Sequence, residues 1–266
     1  MTTVRLAELP RAPGSYCLIG AKGIPQVSMN PKPPLLVSYA HIKFFLEDQA
    51  KYYYRDWVLD SGAFSVTQSG TIISVEEYTE FAKEKLLKDP TLTEVFALDV
   101  IGDHEASLKN AEYMWDNGVP AIPAYHRGSP ESALIHIAKN YPKIALGGVA
   151  LLRGNKKTEW AKQCFARVWP KKIHGFGFGA RSNILALPWH SVDATNWVSG
   201  GRFGQWNSFG RLSVSAANLA VYREERGLGG GTKHNFRCEV EYFMDLEKEA
   251  INKWKKEMAI LEALKG

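Results

Sequence analysis

The chain reads as an α/β protein of the (β/α)8 TIM-barrel class. Three observations predict this. Short apolar runs alternate with stretches of helical spacing about eight times, the number such a barrel needs. Several of these runs end in an acid, a histidine or a glycine, as strands delivering groups to one functional rim do. The length of 266 residues suits one barrel. An open doubly wound sheet is the alternative, but the GxG at Gly175 to Gly177 comes late and has no GxGxxG continuation.

In order, Met1 to Pro34 is rich in proline and glycine and reads as an irregular lead-in, with at most a short strand near Tyr16 to Ile19. The single barrel domain is expected from Leu35 to Gly266. Leu35 to Ser38 is a short apolar run, and Ala40 to Tyr54 has helical spacing through Ile42, Phe45, Leu46 and Ala50. Trp57-Val58-Leu59-Asp60 is a buried strand ending in an acid, followed at once by Ser61-Gly62-Ala63-Phe64. Ser74 with Glu77 predicts a capping box and a helix to about Lys88. Val95 to Val100 is a strand carrying Asp99; Asp103 caps the next helix, which Gly118 stops. Pro120 to Tyr125 leads into His126, and Pro130 opens a helix at its first position. Lys143 to Gly148 and Lys172 to Gly177 are strands with glycine ends, separated by a helix over Asn155 to Trp169. A short helix near Ser182 to Leu187 precedes the His190 to Asp193 strand. Leu212 to Ser215 is the expected last strand and Ala216 to Glu225 a helix. Asp245 to Leu264 is a final amphipathic helix through Leu246, Ala250, Trp254, Met258 and Leu261.

Composition narrows the class. Hydrophobic content of 45% and charged content of 23% are those of a globular protein. A net charge of +5 is compatible with a polyanion partner without requiring one. The 3 cysteines form no CxxC pair, which argues against a zinc knuckle or disulfide framework. No signal-peptide core or membrane-length apolar run is present, and a cytoplasmic location is expected.

The expected rim gathers Asp60, Ser61, Asp99, Tyr125, His126, Gly147, Gly148, His174, Gly175 and Asp193. Two acids in different environments suffice to cleave a glycosidic bond, one attacking the sugar and one moving protons. A third acid accepts hydrogen bonds from a base's N–H groups. Asp193 is the one carboxylate between Glu159 and Glu224, in a segment rich in lysine and arginine. It reads either as a nucleophile beside a polyanion track or as a structural acid paired with an arginine. His104 and His136 lie within predicted helices and read as surface or packing residues.

Leu59-Asp60-Ser61-Gly62-Ala63-Phe64 resembles the DSGGF motif of tRNA-guanine transglycosylases. Ala97-Leu98-Asp99 is similar to their next acidic strand end, Gly147-Gly148-Val149-Ala150 to their GGLA segment, His174-Gly175-Phe176-Gly177 to LMGVG, and Val192-Asp193 to the start of VDxxD. Order and spacing hold from about Val58 to Arg202. The resemblance implies exchange of guanine for a 7-deazaguanine base, such as preQ0 or a derivative, through a covalent glycosyl–aspartate intermediate. It implies Asp60 as general acid/base, and Ser61, Phe64, Asp99, Gly147 and Gly148 around the base, with Phe64 stacking. The chain departs from the pattern in two places. The CxCxxC zinc cluster is absent, so no metal or cofactor is expected, and Asn196 stands where the family nucleophile falls. Asp193 is assigned that role instead. The missing zinc subdomain points to the phage-type branch that acts on DNA. Trp189, Trp197, Phe203, Trp206 and Phe209 are expected either to stack on an extruded base or to pack. Trp197, Arg202, Arg211, Lys233 and the Gly227 to Gly231 loop are candidate nucleic-acid contacts. The alternatives are a tRNA-guanine transglycosylase-like enzyme, a nucleoside or nucleic-acid N-glycosidase, and a non-catalytic nucleic-acid-binding barrel.

Overall fold

The structure, a computed structural model, describes residues 2–7, 32–51, 54–63, 72–153, 155–195 and 232–263. Eight parallel strands curl into one sheet: β1 (Thr3–Ala7), β2 (Leu35–Ser38), β3 (Trp57–Asp60), β4 (Leu92–Val95), β5 (Ala124–His126), β6 (Lys143–Gly147), β7 (Lys172–Gly175) and β8 (Ser191–Ala194). Their order is β4-β3-β2-β1-β8-β7-β6-β5. The outer strands meet through a parallel bridge between Phe96 and Ile122. Ile122 N–H donates to the Val95 carbonyl at 2.8 Å and Ala97 N–H to the Ile122 carbonyl at 2.9 Å. The result is a TIM-barrel-like (β/α)8 fold, as the alternation of apolar runs predicts.

The helices are α1 (Ile42–Asp48), α2 (Val75–Lys88), α3 (His104–Asp116), α4 (Glu131–Asn140), α5 (Lys156–Val168), α6 (Arg181–Ala186) and α7 (Thr232–Ala263). Local chemistry sets their ends. Ser74 Oγ accepts the Glu77 amide at 3.2 Å, and Asp103 Oδ1 accepts those of Glu105 and Ala106. Gly118 holds φ +83° after α3, the left-handed turn that a glycine adopts without strain. Pro130 is the residue before α4 rather than its first, with φ −64° and ψ 146°. The helix expected over Ala40 to Tyr54 is shorter, with 3₁₀ turns at Tyr39–His41 and Gln49–Lys51 on either side of α1. The fourth strand begins at Leu92, earlier than expected, and the chain from Ala97 to Asp99 is already loop.

The largest departure is at the start. Thr3–Ala7 is not lead-in but the strand between β2 and β8. Val4 and Leu6 face the helical layer, and Arg5 faces the barrel interior. A charged residue amid five hides the strand from a hydrophobicity reading; its partners lie far along the chain. Arg5 pairs with Asp56 at 2.6 Å and approaches Glu94 at 3.7 Å. Glu94 also pairs with Lys143 and, at 3.0 Å, with His190. Asp56, Lys143 and His190 stand at or just before the N-terminal ends of their strands, and Arg5 and Glu94 join them in an ion cluster that floors the barrel. Burial would raise the Glu94 carboxyl, but His190, Lys143 and Arg5 hold it well below the usual carboxylate range. Glu247 of α7 accepts the Val4 amide at 2.8 Å and an Arg55 N–H at 2.9 Å, fastening the last helix to the first strand.

Period-two alternation separates two packed layers. Leu35, Val37, Trp57, Leu59, Ile144, Leu146, Ile173 and Val192 pack outward against the helices. Leu36, Val58, Phe96, Ile122 and Ala145 fill the interior. The expected strand at Leu212 to Ser215 and the helix at Ala216 to Glu225 lie outside the described residues; the sheet is eight-stranded without them. No helix among the described residues is long and apolar enough to cross a membrane.

Candidate active site

The C-terminal ends of the strands carry the candidate groups above the apolar interior. Asp60 ends β3 and is half-buried at the mouth, in register with Ser38 of β2. Its Oδ2 accepts the Gly62 amide at 3.1 Å. Gly62 has φ +75°, and a Cβ there would stand 2.5 Å from Ser38 Oγ, so this turn requires glycine. The Asp60 carboxyl is pushed up to about 7. Burial is the main cause, and the charges of Asp99 and Asp193 add to it against the Gly62 and Ser61 amides.

Asp193 is buried in β8, with 7% of its surface exposed. It is in register with Arg5, yet that guanidinium turns down to Asp56 and Glu94. Among the described residues no lysine or arginine forms an ion pair with Asp193, which removes the structural-acid alternative for them. Its Oδ1 accepts the Gly177 amide at 2.6 Å. Lys157, which donates to the Gly177 carbonyl at 2.9 Å, acts on Asp193 only through its field. Burial pushes the Asp193 carboxyl up to about 6, opposed by the Gly177 amide and Lys157. Asp60 and Asp193 thus stand toward the C-terminal ends of their strands, and the charge of Asp193 helps to raise Asp60.

Asp99 Oδ2 bonds His126 Nε2 at 2.7 Å, while Asp99 Oδ1 is buried without a hydrogen-bond partner among the described residues. Burial alone would lower the His126 pKa, but the bond and charge of Asp99 raise it. The His126 ring lies against Gly147, where a Cβ would come within 2.9 Å of it. Gly148 has φ +72° and a Cβ there would meet the Arg127 amide nitrogen at 2.9 Å. These glycines thus seat β5 against β6 and leave room for the His126 ring.

Alternation sorts the remaining candidates. Tyr125 faces outward: its hydroxyl donates to the Ser129 carbonyl at 2.9 Å, and its ring stacks on Trp160 at 6.1 Å. It packs rather than lines the mouth, because its neighbour His126 takes the inward position. Gly175 also faces outward, with Trp189 and Phe178 where a Cβ would sit. Trp189 is core, edge-on to Phe165 at 4.9 Å and donating to the Asn183 carbonyl at 3.0 Å, and cannot reach an extruded base. Ser61 is buried, its Oγ 3.4 Å from the Ala63 amide. His174 is inward but sits below the rim, 1% exposed, beneath Asp193. His104 and His136 lie on α3 and α4 away from these groups, His136 exposed beside Asn140. Phe64, Asn196, Trp197, Arg202, Phe203, Trp206, Phe209, Arg211 and the Gly227 to Gly231 loop lie outside the described residues, as does the side chain of Lys233.

Four neighbours of these groups are not among the candidates read from the sequence. Phe176 and Phe96 each lie 4.6 Å from the His174 ring and 4.7 Å from each other, a cluster of three rings in the barrel interior. Tyr78 of α2 donates to the Phe96 carbonyl at 2.8 Å and is fully buried close enough to feel the charges of Asp60 and Asp99. Gly179 lies so close to β8 that a Cβ would be 2.6 Å from Ala194 Cα. Two of the four left a signal: Phe176 lies within the His174 to Gly177 motif, and Gly179 is a further glycine just past the strand end. Among the described residues no three His, Cys, Asp or Glu side chains converge as a metal site. The site holds two raised carboxyls, one poised to exchange a proton near neutrality and one mostly ionised there, with an unpartnered acceptor beside them. No protein-family model and no curated protein sequence matches the chain.

Proposed function

We propose that the protein is a DNA base-exchange transglycosylase that replaces guanine with a 7-deazaguanine base through a glycosyl–Asp193 intermediate. The observation that carries this reading is the pair Asp60 and Asp193 in one barrel mouth, raised to about 7 and about 6. An acid near 7 gives and takes protons with equal ease at cellular pH, and one near 6 is mostly the carboxylate a nucleophile must be. The target guanine leaves the base stack, at a cost of a few kcal/mol, to reach the mouth. Asp193 bonds to C1′ as the C1′–N9 bond breaks; the electron pair leaves on the guanine ring, and Asp60 supplies a proton to it. The incoming 7-deazaguanine gives a proton to Asp60 and its ring nitrogen bonds to C1′. The C1′–O bond breaks as that bond forms, and its electrons return to Asp193. The free Asp99 Oδ1 is assigned as an acceptor for base N–H groups, with His126 holding the other oxygen. The resemblance of Asp60 to Phe64, Gly147 to Ala150 and Val192-Asp193 to the transglycosylase motifs supports the choice of base. The missing zinc cluster supports DNA over tRNA.

The test is incubation with DNA and radiolabelled 7-deazaguanine or guanine, counting label retained in the polymer. Wild-type protein is expected to incorporate label and Asp193→Ala to incorporate none while still binding DNA. Release of free guanine without incorporation would make the protein an N-glycosidase. Salt-sensitive DNA binding with neither outcome would make it a binding module.

A further inference from the structure

His174 is a side chain that the exchange chemistry above leaves without a task. It is 1% exposed, on β7, in register with Ser191 of β8. Its Nδ1 is 2.8 Å from Ser191 Oγ. Its Nε2 is buried, has no hydrogen-bond partner among the described residues, and lies 3.8 Å from Asp193 Oδ1. A buried polar nitrogen left unpaired next to a buried carboxylate is costly unless something uses it. Phe96 and Phe176, 4.7 Å apart, each pack 4.6 Å from the ring, so the three rings form one cluster that holds it in place.

We infer that His174 is a positioning residue for Asp193: Ser191 Oγ–H donates to Nδ1, which puts the imidazole proton on Nε2, aimed at Asp193 Oδ1. The opposite tautomer would turn a nitrogen lone pair toward the carboxylate, and the repulsion excludes it. Oδ1 then faces two N–H groups, that of Gly177 now at 2.6 Å and that of His174 within a short shift of bonding. This leaves Oδ2 as the oxygen that attacks C1′. The inference rests on the proposed exchange for its catalytic consequence. When the C1′–Oδ2 bond breaks in the second half-reaction, the returning negative charge spreads onto Oδ1. A second donor there favours departure of the carboxylate. The charged and titratable groups around the pair are Arg5 of β1, Glu94 of β4, His190 before β8, Lys157 of α5 and Asp60 of β3. Burial, followed by the charge of Arg5, drives the His174 pKa down to about 3, which keeps the ring neutral with a single proton to place.

Nitrogen-15 NMR of the histidine ring in the wild-type protein reads the tautomer directly. A neutral ring protonated on Nε2 is expected at pH 7 to 8, where Asp193 is mostly the carboxylate; protonation on Nδ1 there overturns the inference whatever the activity. Carbon-13 NMR of the Asp193 carboxyl is the second readout. His174→Phe with Ser191→Ala keeps an aromatic ring against Phe96 and Phe176 and removes the donor. The Asp193 titration is expected to rise by about one pH unit, and His174→Gln, which returns an amide N–H, to reverse most of that rise. An unchanged titration in the double variant sinks the idea. If that variant does not fold, His174→Met replaces it, with the same expected rise and the same refuting result. In the exchange assay, loss of the donor is expected to slow turnover about tenfold and to raise the fraction of protein trapped covalently on DNA. If wild-type protein exchanges no base while the tautomer and titration come out as stated, the exchange proposal fails and the positioning role of His174 stands.

Discussion

Replacing Asp60 by asparagine should change how stability depends on pH, with a sign opposite to that of most carboxylates. In the fold the Asp60 carboxyl is raised from 3.8 to about 7. The folded state therefore binds its proton more tightly than the unfolded chain does. The favourable contribution is fully present below pH 4 and is lost as pH climbs through about 7. Each pH unit of that difference is worth about 1.4 kcal/mol, so ionising Asp60 costs the folded protein about 4 kcal/mol by pH 8. This is an upper figure, since the carboxyl is half-buried and meets solvent at the mouth. Asparagine keeps the size and an oxygen for the Gly62 amide but cannot ionise. Urea unfolding of both proteins at pH 4.5, 6, 7 and 8 measures the difference. Asp60→Asn should gain on the wild type steadily across that range, most steeply between pH 5 and 7. Parallel pH profiles would refute the claim that burial and the charges of Asp99 and Asp193 raise this group, and with it the argument that Asp60 is a proton carrier near neutrality.

Other expectations follow from single contacts. Gly179→Ala places a Cβ 2.6 Å from Ala194 Cα and 2.9 Å from the Asp193 carbonyl oxygen, both backbone. It should cost about 1–3 kcal/mol in urea unfolding and reduce base exchange more than tenfold by shifting β8; wild-type activity would show that β8 has slack. Glu94→Gln leaves Arg5, Lys143 and His190 at the barrel floor without their shared anion. A loss of about 3–5 kcal/mol is expected, with no selective effect on exchange at temperatures where the variant is folded; a loss below 1 kcal/mol in the same measurement counts against the ion floor. His126→Ala frees Asp99 Oδ2 and should raise KM for the free base more than it lowers kcat, as steady-state kinetics with labelled base would reveal.

Most of the barrel is legible because its strands advertise themselves twice, by an apolar run and by the polar or glycine residue that follows. Leu59-Asp60, Leu146-Gly147 and Val192-Asp193 all have this form, and each ends at the mouth. β1 lacks the first mark, although Glu8 follows it. Its central Arg5 is neutralised by Asp56 and Glu94, residues that no local window connects to it. The site is harder to read than the fold for a related reason: a motif names consecutive residues, whereas a strand presents only every second one. Tyr125-His126 and His174-Gly175 each look like a pair of candidates, but in each pair one member turns to the helices, Tyr125 onto Trp160 and Gly175 onto Trp189. Parity counted from a known inward residue would have separated them. Asp60 inward fixes Val58 inward, and the register from β3 through β2 and β1 to β8 carries that parity to Asp193. What parity cannot supply is depth. His174 and Asp193 both face inward on neighbouring strands, yet one is a floor residue and the other lies at the mouth, because the strands are staggered and His174 pairs with Ser191, two residues below Asp193. Stagger arises from closing the sheet, a property of all eight strands together. No local stretch of sequence encodes it, and the placement of His174 under Asp193 is its consequence.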